Sequence, residues 1–292
     1  SLPEYRPSSA FSPPARIAVD IDQAALDAEV PAEDVDALTI CGVTRSRGCD
    51  PFDAVKLGMR PTGLGPRFPD TLACKGIDDY WALDYSYKRN RQAWHGGIDM
   101  PADWGTPILA VADGSVVAVF SGENSKRGKE VIIRHSPEQT GIPYWTYSGY
   151  GHLDALPPFE PGQRIQQGQI IGPTGNSGLG SRGSQTSNRR AAIHFSVLYS
   201  ESPEYAIVDG ELVPKDARWM DPVGFYRLTP PYETRALKAL PESEKFIDIP
   251  VMTAGAGVTP TGAQRIWPYA CDTDSQSSRR SSSSSPQSAF DF

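Results

Sequence analysis

Apolar and polar positions alternate in short runs through the middle of the chain. Ile108 to Val111, Gly114 to Phe120 and Glu130 to His135 are such runs, each β-prone and set apart from the next by Gly, Asn and Asp. Period-two alternation bounded by turn residues predicts strands, and the brief connections predict antiparallel pairing. A further run, Ala191 to Leu198, divides by face: Ala192, His194 and Ser196 on one, Ile193, Phe195 and Val197 on the other. Tyr144, Trp145, Thr146 and Tyr147 make an aromatic stretch suited to sheet packing. Between Gly162 and Gly175 two short apolar segments flank Gln166, Gln167, Gly168 and Gln169, a hairpin signal with Gly168 at the turn. Helical signals belong to the flanks, in an acidic stretch from Asp20 to Asp36 and a short one from Glu233 to Leu240. The predicted fold class is mainly β, a compact antiparallel sheet with irregular N- and C-terminal extensions.

At 292 residues the chain is long enough for one domain with a substantial core, plus extensions. A formal net charge of −7 argues against nucleic acid as a partner. No apolar run approaches the ~20 residues that span a bilayer, so no transmembrane segment is expected. No signal-like segment follows Ser1, which fits a processed or trimmed N-terminus.

Candidate chemistry begins at His95, Gly96, Gly97, Ile98 and Asp99. Imidazole and carboxylate are both zinc ligands, and four positions apart on an extended strand they return to the same face. Gly96 and Gly97 put no Cβ between them, so the backbone can pass close to an ion. A third ligand must come from elsewhere, and with four histidines in the chain the candidates are His135, His152 and His194. His194 lies within the alternating run. His152 follows Gly151 near a turn, a placement suited to an acid or base. His135 closes an apolar strand and reads as a packed, structural histidine.

In chain order, HGGIDM, TPILAVADGSVVAV, VIIRH, YGHL, PGQRIQQGQIIGPTGNSG, AIHFSVL and WMDPVGFY resemble the motifs of the lysostaphin or LytM-type zinc metallopeptidases, over about residues 88 to 228. That family cuts peptide cross-links of bacterial peptidoglycan. The resemblance implies a LytM-like, barrel-sandwich-like catalytic domain holding one Zn2+ per chain through His95, Asp99 and His194. It implies that His152 is one of two auxiliary catalytic histidines. A zinc-dependent endopeptidase, extracytoplasmic, with peptidoglycan stem peptides or cross-bridges as its partners, is the activity that follows. One departure matters. The family reads His-x-His where this chain has Ala192, Ile193 and His194, so the second auxiliary histidine is missing, by nature or by engineering. Activity reduced or abolished by Ala192 is the expectation, and two other readings stay open. One is a noncatalytic LytM-like activator of a partner cell-wall amidase; the other is a zinc-stabilised module that binds wall peptides. The bond cleaved stays open as well, between a D-Ala to diaminopimelate cross-link, a glycine bridge and a non-wall peptide. The chain has no basic patch for an anionic wall polymer, so any wall binding must be short-range.

Cys41, Cys49, Cys74 and Cys271 include no CxxC spacing, which speaks against a cysteine zinc site. An even count suits two disulfides in an oxidising compartment, and the pairing expected is 41 with 49 and 74 with 271. Residues 1–79 are expected as an N-terminal extension, a Pro-rich arm followed by the short acidic helix, and 80–228 as the metallopeptidase domain. Residues 229–292 are then a C-terminal extension, with linker at Ala254 to Gly257 and a disordered serine-rich tail from Ser275 to Ser288. The polar loop Gly175 to Arg190 is expected to border a groove, and the aromatic and basic Tyr80 to Asn90 either form one wall of it or anchor the N-terminal extension on the core. In that loop Arg182, Arg189 and Arg190 read as binders of a peptide carboxylate or as solvated loop charges.

Overall fold

The computed structural model describes residues 19–78, 95–122, 125–178 and 190–273. The expectations for the N-terminal arm, Tyr80 to Asn90, Arg182, Arg189 and the serine-rich tail lie outside these residues.

A seven-stranded sheet organises the chain, and the fold is mainly β. Its strands are β1 (Ile98–Pro101), β2 (Gly114–Phe120), β3 (Lys129–His135), β4 (Trp145–Leu153), β5 (Arg164–Ile165), β6 (Ala192–Ser200) and β7 (Arg218–Met220). Across the sheet the order is β7-β6-β4-β3-β2-β5, every pair antiparallel. β1 pairs with the first half of β6, on the edge that β7 takes further along.

Alternation along β6 decides its two faces. Ile193, Phe195 and Val197 are buried in the core, where the Phe195 and Tyr150 rings stand 5.6 Å apart. His194 and Ser196 take the opposite face, and the residues of β4 directly across from them are Gly151 and Gly149. Two missing side chains in adjacent positions leave room over the sheet for groups arriving from other elements. Further along, the hairpin Tyr205–Val208 with Glu211–Pro214 covers that face, and Tyr205 packs edge-on to Tyr147 at 6.3 Å.

Several local expectations change in the folded chain. The acidic stretch does not form one helix: it holds a single turn, Gln23–Leu26, and a 3-10 turn, Ala32–Asp34. Pro31 between them supplies no backbone N–H for a continuing ladder. The regular helix comes next, at Ala37–Thr44, capped by the Asp36 carboxylate accepting from the Thr39 N–H at 2.9 Å. The segments around Gly168 do not pair with each other. Gly168 does turn, with φ +78°, but Ile165 pairs with Gly114, and Ile170–Pro173 pairs with Pro107–Leu109 in a separate two-stranded ladder. Ala254 to Gly257 is not a linker but the turn of a hairpin joining Val251–Thr253 to Gly257–Thr259. Beyond it Trp267 and Tyr269 are fully buried, so this part of the C-terminal extension belongs to the packed structure. A helix at Thr234–Lys238 lies inside the stretch expected to be helical.

Two disulfides join the flanks. Cys41–Cys49 closes a short loop after the Ala37–Thr44 helix, and Cys74–Cys271 links segments 197 residues apart. Trp219 in β7 donates its indole N–H to the Gly42 carbonyl at 3.0 Å, which fastens the same helix to the sheet. Among the described residues no helix is long and apolar enough to cross a membrane.

Candidate metal centre

Register brings the first two residues together. In the β1–β6 ladder Asp99 stands directly opposite His194, and opposed residues of an antiparallel pair project from the same face. Asp99 Oδ1 lies 3.1 Å from His194 Nδ1 and 3.1 Å from His95 Nε2. One ligand-type atom from each of the three residues falls within 4.8 Å of the others. All three side chains are buried.

His95 reaches this point by a route its spacing did not suggest. β1 begins at Ile98, so His95 and Asp99 do not share a strand. Gly96 instead adopts φ +75°, a left-handed turn open to glycine, and His95 folds back over Asp99. Gly97 meets a different need, because a Cβ there would stand 2.6 Å from both Cε1 and Nε2 of His194. Arg45, arriving from the end of the Ala37–Thr44 helix, donates from Nη1 to the His95 carbonyl at 3.3 Å.

The charges suit a cation. Burial works against an ionised Asp99, yet its carboxyl is held well below the usual range, because His95 and the hydrogen bonds from both imidazoles outweigh desolvation. Burial pushes His194 well below the ordinary imidazole value, so its ring is neutral. Two atoms bound to one tetrahedral zinc at ~2.0–2.1 Å stand about 3.3 Å apart. The two 3.1 Å separations match that spacing. On the far edges of the rings, His95 Nδ1 and His194 Nε2 are buried with no hydrogen-bond partner among the described residues. The residues present therefore fit a three-ligand zinc site.

His152 is aimed by an irregularity in the ladder. Lys129 faces Leu153 and Val131 faces Tyr150, so Glu130 alone opposes both Gly151 and His152. Such a β-bulge bends the strand and re-aims a side chain. His152 takes φ +63°, uncommon for any residue but glycine. Its backbone N–H donates to the Arg127 carbonyl at 2.6 Å, and its Nδ1–H donates to the Ser177 carbonyl at 2.8 Å. The second bond selects the tautomer in which Nε2 is the ring's acceptor. The His152 and His194 ring centroids are 5.7 Å apart. Ala192, on the same face as His194 and opposite Pro101, presents only a methyl group. His135 lies outside the cluster, fully buried, with Nδ1 on the Asp113 carbonyl at 2.7 Å and Nε2 on the Ser148 hydroxyl at 2.8 Å.

Residues 93–205 match the family model of Peptidase family M23, and His95, Asp99, His152, Ala192 and His194 all fall inside the match. This stretch of the chain is a Peptidase family M23 domain. M23 peptidases are zinc-dependent. A curated relative, the DD-carboxypeptidase/endopeptidase Mpg of Neisseria meningitidis, is 37% identical over 84 residues, which make up 29% of this chain and 17% of Mpg. The chain thus spans less than a fifth of that relative's length. Among solved structures, the catalytic domain of the prophage-encoded M23 protein EnpA of Enterococcus faecalis, determined as an alanine-to-histidine mutant, is 24% identical. That match covers 52% of this chain and 95% of that one at a TM-score of 0.33. The catalytic domain of lysostaphin from Staphylococcus simulans is 23% identical, covering 41% and 80% at a TM-score of 0.31.

Sequence reasoning missed several residues around the M23 site. Arg45, Arg127, Glu130, Glu211 and the Ser177 carbonyl come from four segments, and only Arg127 and Glu130, three residues apart, are close in sequence. One signal was available: Glu130 opens an alternating strand on the face of Ile132, where a carboxylate has no reason to be buried for packing alone. Arg190, expected either to bind a carboxylate or to be solvated, pairs with Asp78.

Proposed function

We propose that the M23 domain is a zinc-dependent endopeptidase that hydrolyses peptide bonds of bacterial peptidoglycan cross-links, with residues 80–228 as the catalytic unit. The observation that carries this reading is the convergence of His95 Nε2, Asp99 Oδ1 and His194 Nδ1 at ligand spacing. These three would hold one Zn2+ per chain. When bound, zinc supplies Lewis acidity, which lowers the pKa of water from about 15.7 towards ~7 and polarises a scissile carbonyl. His152, with Nδ1–H committed to Ser177, offers Nε2 to take a proton from water and, once protonated, a hydrogen bond to the developing oxyanion. Ala192 has no group that can take or give a proton. Losing one general base removes ~10² to 10⁴ of rate, so turnover is slow rather than absent. The two disulfides suit an oxidising, extracytoplasmic compartment. Because Mpg is named for carboxypeptidase as well as endopeptidase activity, both kinds of product are worth looking for.

Ala192 favours a second reading, in which the domain keeps its metal, does not cut, and activates a cell-wall amidase or binds wall peptides. Digestion of purified peptidoglycan by zinc-loaded protein, with mass analysis of the released fragments, separates the two. Cross-links opened at a peptide bond support the endopeptidase. No fragments from the parent or from Ala192→His would sink it and leave the noncatalytic reading.

A further inference from the structure

The sheet face that carries the metal cluster continues into a set of charged side chains shut away from solvent. Glu130, opposite the bulge, is 3% exposed. A Cβ added to Gly149 would come 3.1 Å from Glu130 Oε1 and 2.6 Å from Ser196 Oγ, so both groups lie over that glycine. Ser196 stands two residues beyond His194 in β6, on the same face and directly opposite Gly149. The carboxylate and hydroxyl are therefore neighbours of the metal cluster along one face of the sheet.

Their hydrogen bonding is incomplete. Arg127 Nη1 is 3.8 Å from Glu130 Oε2, and Arg127 Nη2 is 3.4 Å from Glu211 Oε2, both too long for good hydrogen bonds. Arg45 belongs to the same group: burial, and then the like charge of Arg127, bring its guanidinium down to about 10. Two arginines and two glutamates cancel in formal charge. Even so, among the described residues Glu130 Oε1 and Glu211 Oε2 are buried with no hydrogen-bond partner, and of the two Glu130 Oε1 is the one that lies over Gly149. Burial raises the Glu130 carboxyl above its ordinary value against the pull of Arg127. A buried carboxylate oxygen without a donor is costly, and such an oxygen is satisfied when a ligand brings the donor.

We propose that Glu130, with Ser196 beside it, is a specificity subsite that receives a free primary ammonium group of the peptide substrate. The proposal rests on the peptidase reading of the metal centre and names what the peptide must carry. An ammonium has three donors: Glu130 Oε1 takes one in a charge-assisted bond, and Ser196 Oγ accepts a second. A neutral amide in the same place keeps a donor but loses the charge, and a carboxylate is repelled by Glu130.

The test uses the full zinc-loaded chain and two probes, a stem pentapeptide with lysine at its third position and its N-terminal amine acetylated, and the same peptide acetylated on the lysine Nε as well. Calorimetric titration is expected to show the free amine binding roughly 10-fold or more tightly than its acetylated counterpart. In Glu130→Gln the preference should fall to about one, with zinc content unchanged. Ser196→Ala, which leaves the four charges in place, should reduce the preference by roughly 2- to 5-fold and serves if Glu130→Gln does not fold. Equal affinity of the parent for both peptides, binding of neither, or an undiminished preference in the folded variants would overturn the subsite. Turnover is scored separately: peptides bound with the expected preference but never cut by parent or Ala192→His would keep the subsite and remove the endopeptidase.

Discussion

His135 and His194 occupy one sheet with a single strand between them, and exposure hardly tells them apart, at 0% and 3%. Burial drives both rings towards the neutral form, to about 4 for His135 and well below the ordinary value for His194. Their partners differ. His135 donates from Nδ1 to the Asp113 carbonyl, and its Nε2 accepts from Ser148. The Ser148 hydroxyl also bonds Tyr150, whose oxygen accepts from the Val111 N–H, so every polar group in that chain is used. His194 shares one Asp99 oxygen with His95 and, among the described residues, has no partner for its second nitrogen. A histidine that has spent its hydrogen-bonding capacity holds the sheet together, whereas one left under-satisfied beside a carboxylate keeps the capacity to ligate.

The strongest way to break this comparison is at the shared carboxylate. Asp99→Ala should take zinc from about one per chain to none, because two imidazoles alone neither neutralise nor enclose the ion. Metal analysis after reconstitution at neutral pH checks it, and retention of stoichiometric zinc would refute the ligand set.

Next in size is the effect of position 192. Ala192→His should raise peptidoglycan hydrolysis by about one to four orders of magnitude at unchanged zinc content, the range a general base contributes. The new imidazole would leave β6 on the same side as His194, so no backbone change is needed. His152→Ala in that background should reverse most of the gain, as read from fragment release over time.

The smallest effect falls on His135 and appears as pH-dependent stability. Its folded value of about 4 lies below the ordinary 6.5, so the unfolded chain binds this proton first as pH falls. The stabilising contribution is complete above pH ~6.5 and is lost on acidification towards pH ~4, by roughly 3 kcal/mol. Denaturant unfolding across that range should give a shallower pH slope for His135→Gln than for the parent. Identical slopes would mean that His135 titrates normally in the folded state.

How far the site could be read in advance varied along the chain. The faces of β6 followed from alternation, because a strand's period is a property of neighbouring residues. Strand spacing pairs His95 with Asp99 in the sequence, and that reason does not hold in the fold. Their common direction comes from the left-handed turn at Gly96, not from a shared strand. The two glycines read as clearance for an ion, but what Gly97 clears is the ring of His194, 97 positions further along. At Gly162 to Gly175 the turn at Gly168 was legible and its pairing was not, since each flanking segment found a partner elsewhere in the chain.

The sequence alone determined what neighbouring residues can decide: strand periodicity, the turn at Gly168, the chemical types gathered in the His95 to Asp99 segment, and the motif order that carries the family resemblance. Tertiary structure decided everything that depends on register between distant segments. Asp99 and His194 are 95 residues apart, Arg45 and His95 are 50 apart, and His152 and Ser177 are 25 apart. The bulge opposite Glu130 adds one residue to one side of a ladder, which re-aims His152 with no local mark in the chain. The physical reason is that side-chain direction is set within a few residues, whereas whether a buried nitrogen or carboxylate oxygen finds a partner depends on which strands lie against each other.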